Sequence, residues 1–372
     1  MAALLFSPFA LRGVTLPNRI VVSPMAQYSA TPDGCATDWH VMHVGNLVIS
    51  GSGLVIMEAT AVEPRGRVTL GCLGLWNDAQ AVALRPVVAF ARSHGQAALG
   101  IQLAHAGRKG SVGRPWDGQR TLAPSDGGWT TIAPSSDAYP GRPAPAALDD
   151  AGLDSLRAEF AAAARRAGEL GFDLIELHCA HGYLLHSFLS PLSNTRNDCY
   201  GGDLAGRMRF PLEVFAAVRA AFPADRPVGV RISATDWLPG GWDTTSSVAF
   251  SRALKQAGCD FVTASSGGLR PEQKIEVKPG YQVPFAAAVQ EEAGLPAMAV
   301  GLLDDPDLAE QVLQKAEASL IALGRGMTWN PRWPWHAAEA LGAAAPHPPQ
   351  YARSQSNMRR GDMFRPQAEA AR

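Results

Sequence analysis

The chain has 372 residues, 47% of them hydrophobic, and a formal net charge of −1, which supplies apolar side chain for one large buried core or two ordinary ones. Lys and Arg are spread along the whole length, so no nucleic-acid partner is expected, since that would call for a basic stripe. No apolar run approaches the roughly 20 residues that cross a bilayer, so no membrane partner is expected either, and the start MAALLFSPFALRGVTLPNR, without a basic leader region, reads as mature protein.

Eight short apolar or β-branched runs follow in order: IVVS (20–23), LVIMEA (54–59), ALGIQL (98–103), FDLIELH (172–178), VGVRIS (228–233), FVTAS (261–265), AMAV (297–300) and SLIAL (319–323). Between them lie longer, often Ala-rich segments with helical periodicity, such as 81–95 and 153–171, which end at Gly. Strands without internal alternation are buried on both faces, which means a parallel sheet covered by helices. Eight such units close a barrel. The predicted fold class is α/β, a (β/α)8 TIM barrel with an N-terminal cap and an extended loop after strand 3. A doubly wound open sheet is the alternative, but no G-x-G-x-x-G follows the first strand. The extended loop is segment 107–147, too rich in Gly and Pro for regular elements and expected over the C-terminal mouth. The tail 345–372, rich in Pro and Arg, reads on its own as a frayed end. Cys35, Cys72, Cys179, Cys199 and Cys259 are far apart and never spaced C-x-x-C. That argues against a zinc ribbon, an iron–sulfur cluster or a disulfide framework, and for reduced thiols in a cytoplasmic protein.

In a barrel of this kind, functional groups sit where strands end at the C-terminal face. Gln102 closes the third strand, Glu176 and His178 the fourth, and Arg231 the fifth. Each alone reads as a satisfied polar group of the core or rim, but together, pointing into one mouth, they need something polar to bind. The seventh and eighth strands run out as AMAVGLL and LIALGRG. Gly301, Gly324 and the fork of Arg325 suit a phosphate held between the last two loops, with turn glycines and a surface arginine as the bland alternative. The stretch IELHCAHGYLLH adds His178, His181 and Tyr183 at the end of the fourth strand. The H-x-x-H spacing also suits a metal pair, although no third ligand is evident on the first or eighth strand.

The stretches LPNRIVVSPMAQYSA, ATDWHVMHVGNLVISGSGLVIMEATAV, IQLAHAGRKG, ELHCAHGYLLHSFLSPLSNTRNDCYGG, VRISATDW and GRGMTWNPRWPWHAA carry a resemblance along nearly the whole chain. The sequence resembles the old yellow enzyme family of NAD(P)H:flavin oxidoreductases, in its thermophilic-like bacterial branch, which includes xenobiotic reductases. The resemblance implies one FMN-binding domain over residues 1–372, with Ser23, Pro24, Met25, Ala26 and Ala59 along the flavin. It gives Gln102 the flavin pyrimidine and Arg231 the N1 and O2 edge, where a cation stabilises the reduced anionic ring. Gly301, Gly324 and Arg325 match the phosphate site, and Lys109 a lysine near the flavin edge. His178 and His181 match paired donors to the oxygen of an activated alkene (enone, enal, nitroalkene or maleimide), and Tyr183 the proton donor to its α-carbon. Tyr28 matches a further substrate-facing tyrosine. NADPH or NADH is the implied reductant, so nicotinamide and alkene alternate at one site and no metal is involved. A homodimer or homotetramer is implied as well, with the tail 345–372 carrying Arg353 into a neighbouring subunit's site. Rival readings are a dienoyl-CoA reductase relative, a flavin redox sensor or carrier without an alkene substrate, and a barrel enzyme without a cofactor.

Two places depart from the family pattern. YGGDLAGRMRF has Asp203, Ala205 and Gly206 where Ser-x-Glu-Asn is usual, which bears on loop rigidity. SPMAQY has Ala26 where cysteine is usual, and a thiol there would hydrogen-bond or tune the flavin ring. Ala26→Cys is therefore expected to shift the flavin midpoint potential in spectroelectrochemical titration; an unchanged potential would rule the idea out.

Overall fold

The computed structural model describes residues 3–354. All eight apolar runs are strands: β1 Ile20–Val22, β2 Leu54–Ala61, β3 Ala98–Ala104, β4 Leu174–Cys179, β5 Val228–Ser233, β6 Val262–Ser265, β7 Ala297–Val300 and β8 Leu320–Leu323. Each pairs in parallel with its successor, and β8 returns to β1 through Ile321 opposite Ile20, so the sheet closes into the expected barrel. No helix among the described residues is long and apolar enough to cross a membrane.

The outer helices begin earlier than the apolar periodicity suggests, because polar caps start them. Helix Asp78–His94 opens on Asn77, whose side chain accepts the Gln80 N–H while the Gln80 side chain returns to the Asn77 N–H. Helix Asp150–Leu170 opens on Asp149, which accepts the Gly152 N–H at 2.8 Å, and closes on Gly171 in the left-handed region. Asp203 caps helix Leu204–Ala221 in the same way, through the Gly206 N–H at 2.8 Å. The departure from the family pattern at this point thus leaves the helix start anchored. Segment 107–147 is not wholly irregular. It contains the short turns Gly107–Lys109, Pro115–Asp117 and Pro124–Asp126, and a two-residue ladder of Ile132–Ala133 with Ala146–Ala147. Two of those turns start on proline, whose fixed φ suits the first position of a helical turn.

Alternation along each strand sorts side chains between the helix layer and the barrel interior. Ile175, Leu177 and Cys179 pack outward into the main core, while Leu174 joins Leu54, Ile56, Phe261, Met298 and Leu320 inside the barrel. The antiparallel hairpin Phe9–Leu11 and Val14–Leu16 brings Leu11 and Leu16 into this inner cluster and forms the N-terminal cap. Higher up, the inner face turns polar: Gln102 stands opposite Glu176, and Arg231 lies between His178 and Thr263 in register. The interior is therefore an apolar plug below and a polar floor above.

Phe261 is fully buried in that plug, and a Cβ on Gly229 would lie 2.4 Å from three of its ring carbons. Gly229→Ala should destabilise the barrel by about 1–3 kcal/mol through overpacking. A urea titration should show a lower midpoint with an unchanged slope.

Candidate active site at the barrel mouth

Glu176 is the deepest charged group of the mouth and is completely buried. The Gln102 amide donates to one carboxylate oxygen at 2.6 Å and the Thr263 hydroxyl to the other. Burial pushes the Glu176 carboxyl upward, opposed by the charge of Arg231 and by these two donors. Arg231 is buried as well, and its Nε has no hydrogen-bond partner among the described residues, as is true of the buried Ser23 hydroxyl. Orphaned donors of this kind are costly unless a bound group satisfies them.

Both residues line a cavity of about 470 Å3, together with Pro24, Met25, Gly301, Gly324 and Arg325. Gly301 has φ +122°, and a Cβ there would stand 2.9 Å from Gln282 Nε2, so the backbone approach depends on glycine. Gln282 fixes the wall by donating to Val300 O at 2.8 Å and accepting from the Ser266 hydroxyl at 2.6 Å. Buried donors below and a glycine-edged, arginine-fringed wall between the β7 and β8 loops fit a flat anionic cofactor with a phosphate, as FMN has. Thr263, Ser265, Tyr281 and Gln282 were not singled out from the sequence. Thr263 and Ser265 stand two apart in FVTAS, a readable polar face; Gln282 lies between elements and carries no such signal.

The loop after β1 is held from below. In β2 the register with β3 shifts between Met57 and Ala59, and this bulge re-aims Glu58. One carboxylate oxygen of Glu58 accepts the Gln27 N–H at 2.9 Å, while the other faces His40 Nε2 at 3.3 Å. Ala26 lies half-buried beside Gln27, and half-buried Ala59 pairs with Gln102. Tyr28 adopts φ +54°, its carbonyl accepts Arg114 Nε at 3.0 Å, and its ring meets Trp116 edge-on.

His178, His181 and Tyr183 converge. The His178 ring stands 5.2 Å from His181 and 5.0 Å from Tyr183, centroid to centroid, edge to face in both cases. The Ala180 N–H donates to His178 Nδ1 at 3.1 Å. The proton of the neutral ring therefore sits on Nε2, as a donor with no protein partner among the described residues. His181 has φ +59° and places Nε2 2.8 Å from the Ser265 hydroxyl. Burial, followed by the charge of Arg231, holds both imidazoles well below the usual histidine range. Burial also raises the Tyr183 phenol, which stays protonated at neutral pH. Among the described residues no group of three His, Cys, Asp or Glu side chains is arranged to hold a metal ion.

Lys109 ties the extended loop to this constellation. Its ammonium donates to His181 O and Gly268 O, each at 2.8 Å, and lies 5.2 Å above the Tyr183 ring. Burial, then the charges of Arg142 and Arg108, lowers its pKa to about 8. Arg353 is not part of the constellation: it is exposed in the turn Pro349–Ser354, next to Tyr351, whose ring packs on Trp335. The tail beyond Ser354 lies outside the described residues.

Residues 4–343 match the NADH:flavin oxidoreductase / NADH oxidase family. NADPH dehydrogenase of Geobacillus thermodenitrificans is 44% identical over 355 residues, covering 95% of this chain and 99% of that protein. NADPH dehydrogenase of Listeria innocua is 42% identical over 94% of this chain and 98% of its own. Among solved structures, morphinone reductase superposes with a TM-score of 0.76 at 28% identity, covering 94% of this chain and 93% of that one. The closed barrel, the cofactor-shaped cavity and relatives aligned along nearly their full length agree. The chain belongs to the NADH:flavin oxidoreductase / NADH oxidase family, the old yellow enzymes, and is an FMN-dependent, nicotinamide-using oxidoreductase.

Proposed function

We propose that this oxidoreductase is an ene-reductase. It takes hydride from NADPH or NADH and reduces the C=C bond of an enone, enal, nitroalkene or maleimide, adding hydride to the β-carbon and a proton to the α-carbon. The observation that carries this reading is the trio at the mouth: a histidine locked with its donor free, a second neutral histidine, and a protonated tyrosine set edge to face against the first.

Bound FMN supplies the hydride acceptor and donor; the remaining work falls to the chain. Arg231 and Gln102 would hold the pyrimidine side of the cofactor, with Ser23, Pro24, Met25, Ala26 and Ala59 along it and Gly301, Gly324 and Arg325 at its phosphate. His178 Nε2–H donates to the substrate oxygen, and His181 joins it by exchanging its contact with Ser265, which makes the β-carbon electrophilic. Tyr183 delivers its proton to the α-carbon. The Lys109 cation above the ring face, with Arg142 nearby, stabilises the phenolate until solvent restores the proton. Tyr28 faces the substrate from the β1 side, and Arg353 is assigned to a neighbouring subunit's site in a homo-oligomer.

The test is an anaerobic stopped-flow experiment in two steps. NADPH should bleach the flavin bands and 2-cyclohexenone should restore them. Tyr183→Phe should slow the second step by about 100-fold, the scale of a lost general acid, and leave the first nearly intact. Enone-independent flavin bands would defeat the proposal.

A pH profile adds an independent check. With both histidines neutral, the enone step should be flat from about pH 6 to 7.5. Lys109 is cationic below its pKa of about 8 and neutral above it, so the step should slow as pH rises through that point. In Lys109→Met the bend should disappear.

A further inference from the structure

A buried histidine–carboxylate contact lies behind the loop bearing the reacting side chains. His186, in helix Leu184–Leu189, and Asp236, in the loop after β5, are both fully inaccessible, and His186 Nε2 lies 3.1 Å from Asp236 Oδ1. On the other side of the imidazole, the Gly182 N–H donates to Nδ1 at 2.8 Å. A ring that accepts at Nδ1 carries its proton on Nε2, the edge that lies against the carboxylate, although the oxygen sits off the N–H axis and the two atoms make an electrostatic contact without a hydrogen bond. Asp236 cannot swing away, because its second oxygen accepts the Ser190 hydroxyl at 2.6 Å and the Trp242 N–H at 2.7 Å.

Gly182 is the residue between His181 and Tyr183. His181 and Gly182 both have left-handed φ, +59° and +72°, a conformation uncommon outside glycine that local contacts must stabilise. Three contacts hold it here: the His181 N–H on Ser233 Oγ at 2.9 Å, the Lys109 ammonium on His181 O at 2.8 Å, and the Gly182 N–H on His186. A Cβ on Gly182 would lie 2.5 Å from Gly268 O, so the peptide has no slack on its outer side.

We infer that the His186–Asp236 pair is a positioning unit that sets the orientation of His181 and Tyr183 by holding the Gly182 amide. The kinetic part of this inference rests on the ene-reductase reading. The two ends of the imidazole can be separated by substitution. In His186→Asn the side-chain oxygen reaches the place of Nδ1 and can still accept from Gly182, while Asp236 loses its contact with the Nε2 edge. In His186→Gln the terminal amide reaches the place of Nε2 and can still serve Asp236, while Gly182 loses its acceptor.

The experiment measures reoxidation of the NADPH-reduced holoenzyme by 2-cyclohexenone and by p-benzoquinone, whose protons end on oxygen. It also follows hydrogen–deuterium exchange of the peptide containing Gly182. His186→Gln should slow the enone step about tenfold or more, the scale of a misplaced reacting group, slow the quinone step clearly less, because quinone draws on His181 but not on the Tyr183 proton, and speed exchange of the peptide. His186→Asn should melt at lower temperature and keep the enone step near that of the parent. Equal slowing with both acceptors, or equal loss in both variants, would mean a general structural role and would overturn the inference. Unchanged exchange in His186→Gln would overturn it whatever the kinetics. Tyr183→Phe, run in parallel, isolates the underlying reading: if its enone step is normal the proton-donor role fails, and exchange alone decides whether His186 holds Gly182.

Discussion

A carboxylate in the middle of a closed parallel barrel is the constraint on which the mouth depends. Glu176 is shut off from bulk solvent, so its neighbours in register must satisfy it. The Gln102 amide comes from β3, the Thr263 hydroxyl from β6 and the Arg231 charge from β5. Satisfying one buried anion thereby fixes three side chains at the level where a cofactor ring would lie. It also leaves Arg231 Nε without a partner among the described residues, a donor turned to the cavity and free for a ligand.

Above that floor, the loops are held by a repeated device. His40 accepts the Thr37 N–H at Nδ1 and faces Glu58 through Nε2; His105 accepts the Gly107 N–H and faces Glu63 at 2.8 Å; His186 accepts the Gly182 N–H and faces Asp236. In each, an imidazole joins a backbone amide near the mouth to a buried carboxylate of another element. Such a ring is a rigid spacer with one donor and one acceptor, so it transmits position without adding a fixed charge. Irregular loops gain the definition that helices and strands obtain from their own hydrogen bonds.

The barrel was legible because its strands are short, uninterrupted apolar runs, a pattern that buried parallel strands require. FVTAS placed β6 within one residue, and LIALGRG led to a glycine at the cavity edge. Helix starts were less legible, since Asn77 and Asp149 act by capping and not by apolar spacing. The site was readable where side chains end strands, as with Gln102, His178 and Arg231. It was not readable where the chain bends: Gln282 and the bulge at Glu58 acquire their roles from tertiary geometry alone. The dual role of Lys109, bonded to two carbonyls and stacked over Tyr183, likewise depends on loops far apart in sequence.

The N-terminal cap carries a further consequence. The Leu4 and Leu5 amides each donate to the Glu310 carboxylate at 2.8 Å, the Gly13 N–H donates to Asp225 O at 2.9 Å, and Arg12 Nε to Asp260 at 2.8 Å. This segment thus finds its partners only when residues about 200 to 300 positions later have been made. Contacts of such separation form late and at high loop-closure cost. A nascent chain must keep Leu11 and Leu16 from unproductive association throughout that interval, so the plug that seals the finished barrel is a liability while the barrel is incomplete.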